Sequence, residues 1–194
     1  MRDIFLIRHS ITEGNLKNRY IGTTDEALCP EGILLLEKIK EQGMKEEIEH
    51  VYVSPLKRCL ETAQILYPDI PRTIVQGLRE CDFGMFENKN YQELEGSPEY
   101  QAWIDSNGTL PFPGGEDPAA FRKRSVEAFQ ETLRSAKEKK LAFVIHGGTI
   151  MSIMEALIQP KKNFYEYHVK NGQGYYLREE DGTFLLCEKS NIWL

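Results

Sequence analysis

Two histidines occupy the same kind of place in this chain. His9 follows Arg8 at the end of the apolar run Ile4-Phe5-Leu6-Ile7, and His146 ends the run Leu141-Ala142-Phe143-Val144-Ile145 just before Gly147-Gly148. Apolar runs this short, bounded by polar residues or glycine, read as strands buried on both faces of a sheet. In α/β proteins the chemistry collects at the carboxyl ends of parallel strands, where both histidines fall. Arg58, in Ser54-Pro55-Leu56-Lys57-Arg58, brings a second guanidinium to the same edge. Guanidinium groups grip phosphate oxygens bidentately and keep their charge at any working pH. A neutral imidazole is a competent nucleophile toward phosphorus. A second imidazole, held protonated by a phosphate's charge, would stabilise the equatorial oxygens. Backbone amides where a helix begins after Gly147 would add donors. Such chemistry also needs an acid for the leaving oxygen, and Glu80, in Leu78-Arg79-Glu80-Cys81, is the candidate. Beside a dianion and partly desolvated, its proton affinity rises, which suits a general acid at neutral pH. The alternative for Glu80 is a capping or salt-bridge carboxylate, because spacing alone does not fix its pose.

The elements that would position these groups follow from periodicity. Strands are predicted at residues 4–7, 51–53 and 141–145, with helices alternating between them. One helix runs from Pro30 to about Gly43, with Ile33, Leu34, Leu36, Ile39 and Met44 apolar and Cys29 in the cap position, a slight cost. Others are predicted at residues 56–66, from Asp117-Pro118 to about Lys139, and at 148–158, the last ended by Pro160. A C-terminal pair, roughly residues 165–177 and 183–189, turns at Asp181-Gly182. This alternation predicts an α/β fold, a three-layer α/β/α arrangement with a mainly parallel central sheet. Residues 81–115 break the rhythm with Phe83, Phe86, Tyr91, Tyr100, Trp103 and Phe112 among polar residues and glycines. They read as a small lid insertion over the sheet's carboxyl edge, its aromatics forming a local mini-core more readily than a ligand box. His50, ahead of a strand, and His168, on the terminal hairpin, read as non-catalytic.

With 194 residues the chain suits a single domain, 1–194, with a sizeable core. Its net charge of −6 argues against nucleic acid or an anionic membrane as the main partner, though not against a small anionic metabolite. No stretch approaches the roughly 18 apolar residues of a membrane helix. The N-terminal residues lead straight into a strand rather than a signal peptide. Cys29, Cys59, Cys81 and Cys187 are far apart, as reduced thiols of a cytoplasmic protein would be. Asp25, Asp69 and Asp82 are scattered, so neither a metal nor another cofactor is expected. No motif speaks to oligomeric state.

Taken in order, the motifs closely resemble the histidine phosphatase superfamily, the phosphoglycerate-mutase-like group, over nearly the whole chain. Arg8-His9-Ser10-Ile11-Thr12-Glu13-Gly14-Asn15 is similar to the family's Arg-His-Gly-x-Thr-x-x-Asn opening, and Gly22-Thr23-Thr24-Asp25 to the Gly-x-Thr-Asp stretch that follows. Ser54-Pro55-Leu56-Lys57-Arg58-Cys59-Leu60-Glu61-Thr62-Ala63 matches the Ser-Pro-Leu-x-Arg-x-x-x-Thr-Ala block. Leu78-Arg79-Glu80, Phe83-Gly84, Pro113-Gly114-Gly115-Glu116 and His146-Gly147-Gly148 complete the set. The resemblance implies His9 as the phosphorylated nucleophile and Glu80 as proton donor and acceptor. It further implies Arg8, Asn15, Arg58 and His146 as holders of the phosphoryl group, aided by the Gly147 backbone, with Gly22 and Thr23 lining the mouth. Ser10 stands where the family usually has glycine, adding a Cβ and a hydroxyl beside the nucleophile. Phe86 and Asn88 stand where close relatives often have Trp and Gly.

The expected activity is hydrolysis of a small phosphorylated metabolite, without metal, through a phosphohistidine. Residues 78–116 are similar to α-ribazole phosphatases. Two alternatives stand beside it: a phosphoglycerate mutase, which generally carries more lid sequence than the roughly 35 residues here, and a non-catalytic phospho-ligand-binding protein, which would need a broken constellation.

Overall fold

The computed structural model of the protein describes residues 1–42 and 47–190. In chain order the strands are β1 (Arg2–Arg8), β2 (His50–Val53), β3 (Arg72–Ile74), β4 (Lys140–Ile145), β5 (Gly174–Glu180) and β6 (Thr183–Ser190). The helices are α1 (Glu13–Leu16), α2 (Pro30–Glu41), α3 (Lys57–Leu66), α4 (Tyr91–Leu94), α5 (Pro98–Asp105), α6 (Pro118–Ser135) and α7 (Gly147–Leu157). The strands form one sheet in the order β3-β2-β4-β1-β5-β6. β1, β2, β3 and β4 run parallel, and β5 and β6 run antiparallel to their neighbours. The fold is α/β with a mainly parallel sheet.

Side chains alternate across a strand, so each apolar run supplies two faces. Ile4, Leu6, Phe143 and Ile145 pack with Phe129, Ile150, Ile153 and Met154 of α6 and α7. Phe5, Ile7, Val51, Val53 and Val144 pack on the other face with Leu36, Ile39, Ala63 and Leu66 of α2 and α3. Each such fully buried aliphatic or aromatic side chain contributes about 1.5–3 kcal/mol. These two cores fix the three layers, and with them the height at which β1, β2 and β4 release their next residues.

Several boundaries differ from the sequence expectation. α6 stops at Ser135, short of Lys139, because Ala136 turns extended (ψ 138°) and Arg2 donates to the Leu133 and Ala136 carbonyls at 2.7 and 2.9 Å. The C-terminal strand begins at Gly174, not near 165, since Phe164–Tyr167 forms a 3-10 turn. His168 therefore lies in the loop after that turn, outside the hairpin. β3 was not anticipated; it is a three-residue edge strand whose Thr73 and Ile74 are exposed, so it carries no apolar run. α2 starts at Pro30 and ends at Glu41; the Cys29 side chain does not cap it, its Sγ donating instead to the Ile11 carbonyl at 3.4 Å. Gly43 and Met44, expected at its end, lie outside the described residues.

Residues 81–115 hold α4, α5 and one 3-10 turn (Gly84–Phe86) around a small core of Cys81, Phe86, Leu94, Phe112 and Phe121. Tyr20, Phe83, Tyr100 and Trp103 pack against it. Asn88 adopts a left-handed conformation (φ 57°), which favours glycine and which asparagine tolerates better than most residues.

Candidate active site

β1 and β4 lie side by side with Arg8 opposite Ile145, so His9 and His146 leave the sheet together. Their rings stand 5.2 Å apart at 64°. Both are buried, His9 4% exposed and His146 not at all. The His9 Nδ1–H donates to the Ser10 carbonyl at 2.7 Å, which leaves Nε2 as the unprotonated, nucleophilic nitrogen. Burial first, then the Arg58 and Arg8 charges, hold the His9 pKa well below the usual imidazole value. Burial, Arg58, His9 and Arg8 do the same to His146. His146 is therefore neutral, and the protonated form expected from the sequence requires the charge of a bound dianion. Its Nε2 shares a 2.6 Å hydrogen bond with the Ser54 hydroxyl, and the buried Cys59 thiol lies 3.5 Å away, its pKa pushed up to about 12 by burial.

Arg58, the second residue of α3, is fully buried. Its Nη atoms donate to the carbonyls of Thr24 (2.8 Å), Gly22 (2.8 Å) and Ile21 (3.3 Å). Arg8 donates from Nη1 to the Val169 carbonyl at 2.8 Å, and that Nη1 lies 3.2 Å from His168 Nε2. The Nε atoms of both arginines are buried without a partner. An unpaired buried N–H is costly, so two of them flanking paired imidazoles mark a place prepared for an anion.

Glu80 is 8% exposed. Its Oε1 accepts from the Cys81 N–H and its Oε2 from the Gly148 N–H, both at 3.0 Å. Burial raises its pKa, and those two amides, Arg58 and Arg8 pull against the rise. Glycine at 148 permits the approach, since a Cβ there would stand 2.5 Å from Glu80 Oε1. Asn15 sits in a capping box with Thr12, and its Oδ1 also accepts from Asn171. Gly147 opens α7 against the Arg8 guanidinium.

The backbone groups of Gly22 and Thr23 already have partners within the protein. Their N–H groups, with those of Thr24 and Phe83, all point to the Glu87 carboxylate at 2.9–3.3 Å, and the Thr24 hydroxyl joins at 2.6 Å. The carbonyl of Gly22 is taken by Arg58, and the Thr23 side chain is exposed. Sequence reasoning missed Glu87. The signal was the run of successive amides at 22–24, a concavity that needs an anion. It also missed Asn171, whose Nδ2 donates to the carbonyls of His9 (3.1 Å) and Ser10 (3.2 Å). Ser10 faces away from the nucleophile: its hydroxyl donates to the Gly32 carbonyl at 2.7 Å and its N–H to Thr62.

Two neutral imidazoles between two guanidiniums, faced by one carboxyl of raised proton affinity, on the carboxyl edge of a parallel sheet, define an α/β enzyme that handles phosphoryl groups. The sequence model of the histidine phosphatase superfamily (branch 1) matches residues 4–191, and the chain belongs to that family. It is 32% identical over 160 residues to phosphoglycerate mutase-like protein 4 of Arabidopsis thaliana, covering 79% of this chain and 70% of that protein. It is 28% identical over 176 residues to the adenosylcobalamin/alpha-ribazole phosphatase of Salmonella typhimurium, covering 87% and 86%. The solved alpha-ribazole phosphatase of Shigella flexneri superposes with a TM-score of 0.87 at 22% identity over 98% and 96% of the chains, a likeness of fold. A phosphoserine phosphatase of Entamoeba histolytica superposes at 0.81 with 26% identity, covering 99% and 98%. The chain is accordingly an enzyme, a phosphatase of this superfamily. Among the described residues no helix is long and apolar enough to cross a membrane.

Proposed function

We propose that the protein is a metal-independent phosphomonoesterase that hydrolyses a small phosphorylated metabolite through a phosphohistidine on His9. The observation that carries this reading is the His9 imidazole itself, buried, held neutral, and fixed by the Ser10 carbonyl with Nε2 free. Arg8, Arg58, Asn15, His146 and the Gly147 amide hold the phosphoryl group. Nε2 of His9 attacks phosphorus, the P–O ester bond breaks, and the Glu80 carboxyl gives its proton to the departing alcohol. Glu80, now a carboxylate, takes a proton from water as the water oxygen attacks phosphorus. The N–P bond breaks, phosphate leaves, and both groups return to their starting states. The two arginines spread the equatorial charge in both steps.

The chain works as one domain, residues 1–194, with 81–115 as lid, and as a cytoplasmic enzyme. Relatives named for α-ribazole phosphate and phosphoserine make esters of small alcohols the first substrates to try. The short lid supports hydrolysis over mutase chemistry, because a mutase must keep water from the phosphoenzyme while its substrate reorients.

Released phosphate measured over a panel with α-ribazole phosphate, phosphoserine and 3-phosphoglycerate tests the activity. His9→Ala removes turnover, and acid-labile, alkali-stable phosphate appears on wild type and not on the variant. Turnover survives exhaustive chelation. Hydrolysis by His9→Ala near the wild-type rate, or loss on chelation that magnesium or zinc restores, overturns the reading.

A further inference from the structure

A cavity of about 260 Å³ lies against Glu80, beneath residues 81–115. Of the residues assigned above to phosphoryl transfer, Glu80 alone lines it, together with Gly148, whose amide holds the Glu80 carboxylate. The alcohol of a phosphomonoester departs toward the group that protonates it. The chamber touching Glu80 is therefore where the carbon skeleton of that alcohol resides, and the inference rests on the phosphatase reading given above.

The walls say what skeleton fits. Half of the lining residues are aromatic: Tyr20, Phe83, Trp103, Phe112, Phe121, Phe164 and Tyr165. The rings brace one another. Tyr100 stacks on Trp103 at 13°, Phe112 tilts against Trp103 at 5.2 Å, and Phe83 meets Phe112 edge-on at 82°. A braced aromatic box offers faces and edges to a flat guest, which an aromatic ring exploits better than a saturated one of the same size. An engineered apolar cavity of about 150 Å³ holds benzene, so this chamber has room for one ring or a fused pair.

Charge points the same way. The single cation in the lining is Arg122, and it is already engaged, 3.2 Å from Glu155 and 4.1 Å over the Phe164 ring. A carboxylate on the leaving group would have to compete with Glu155 for that guanidinium, while an ammonium would find Glu80, which must stay protonated to act. The wall also carries the hydroxyls of Tyr20 and Tyr165, and the Trp103 indole Nε1 is buried without a partner.

We propose that this chamber is a leaving-group subsite for a flat aromatic or heteroaromatic ring, so that the preferred substrates are phosphomonoesters of aryl-bearing alcohols. Trp103 is the specificity-determining wall, and small zwitterionic or carboxylated esters are poor substrates.

The test compares kcat/KM for ethyl, 2-cyclohexylethyl and 2-phenylethyl phosphate, phosphoserine and 3-phosphoglycerate. All five are esters of aliphatic alcohols, so differences report the skeleton more than the leaving oxygen. The 2-phenylethyl ester exceeds the ethyl ester by roughly 10–100-fold and the cyclohexyl ester by about 2–10-fold. In Trp103→Ala, checked for folding by circular dichroism, the phenyl-to-ethyl ratio falls at least about fivefold. Hydrolysis of all five at similar kcat/KM, or best hydrolysis of phosphoserine or 3-phosphoglycerate, overturns the subsite and leaves the phosphatase reading standing. Hydrolysis of none, with no phosphate trapped on His9, overturns both.

Discussion

Glu80→Gln keeps the shape of the side chain and removes its proton traffic. Both Glu80 oxygens accept a backbone N–H at 3.0 Å, from Cys81 and from Gly148. Glutamine has one oxygen, so one of those buried amides faces an NH₂ group and loses its bond, at about 1–3 kcal/mol. That loss is partly offset, because burial already opposes a charge at this position. The structural effect is thus a modest fall in Tm. The catalytic effect is larger, roughly 10²–10⁴-fold on an alkyl phosphate for one general acid, or about 3–5 kcal/mol of barrier. Wild-type kcat/KM on that substrate falls as pH rises through the raised Glu80 pKa, and the variant lacks this limb. A nitrophenyl ester needs little leaving-group protonation, so its phosphorylation step suffers far less. Water attack still lacks its base. Stopped-flow measurement should then show a burst of about one nitrophenolate per site, followed by slow turnover. Equal losses in both steps on both substrates would mean that Glu80 only positions the lid. Asp82 is the next carboxylate in line, but its Oδ1 is already bound to the Gly84 N–H at 2.9 Å.

Other outcomes can be stated more briefly. His9 and His146 are folded with depressed pKa values, so their stability contribution is complete above about pH 6.5 and is lost as pH falls from there toward the folded values. Urea titrations from pH 7 to 5 should lose up to about 1.4 kcal/mol per pH unit for each histidine, and a flat profile would contradict the neutral assignment. Glu87→Ala strips the amides of Gly22, Thr23, Thr24 and Phe83 of their acceptor and loosens the loop whose carbonyls hold Arg58. KM for any phosphomonoester rises together with a drop in kcat, and Glu87→Gln recovers part of both; an unchanged KM would remove Glu87 from the positioning of Arg58. Ser10→Gly removes the hydroxyl's bond to the Gly32 carbonyl, which keeps its place in the α2 ladder, costing about 0.5–1.5 kcal/mol of stability in urea unfolding, with kcat within about twofold. A large kcat change would place the hydroxyl in the chemistry.

The candidate site residues of this chain were legible where they end apolar runs. Arg8, His9 and His146 sit at strand exits that periodicity alone locates, and Arg58 follows a strand directly. The continuous apolar runs 4–7 and 141–145 likewise read as strands buried on both faces, and the alternation of strands with helices predicted the three layers that the two cores now fill. Contacts between distant carbonyls and side chains left no such trace. Nothing in the spacing of Asn171 tells that it reaches back to His9, or that His168 meets Arg8. The early stop of α6 depends on Arg2, more than a hundred residues earlier in the chain. The edge strand β3 escaped because a strand with solvent on one side and three residues of length needs no apolar run.

The position of β1 has a consequence for how the chain is made. It is synthesised before its neighbours, yet it lies between β4 and β5 in the finished sheet. Both of its edges wait, with Phe5, Leu6 and Ile7 uncovered, until Lys140–Ile145 and then Gly174–Glu180 have left the ribosome. At about 5–20 residues per second, that delay is on the order of 10 s. An apolar strand with two open edges is a template for pairing with another chain. During that interval the segment carrying the proposed nucleophile invites aggregation and is a natural place for a chaperone to bind. Asn171, which ties down the carbonyls of His9 and Ser10, arrives late as well. Ribosome-bound chains stalled before residue 171 should therefore be inert toward phosphate esters, and chains released beyond β6 should gain activity in one step.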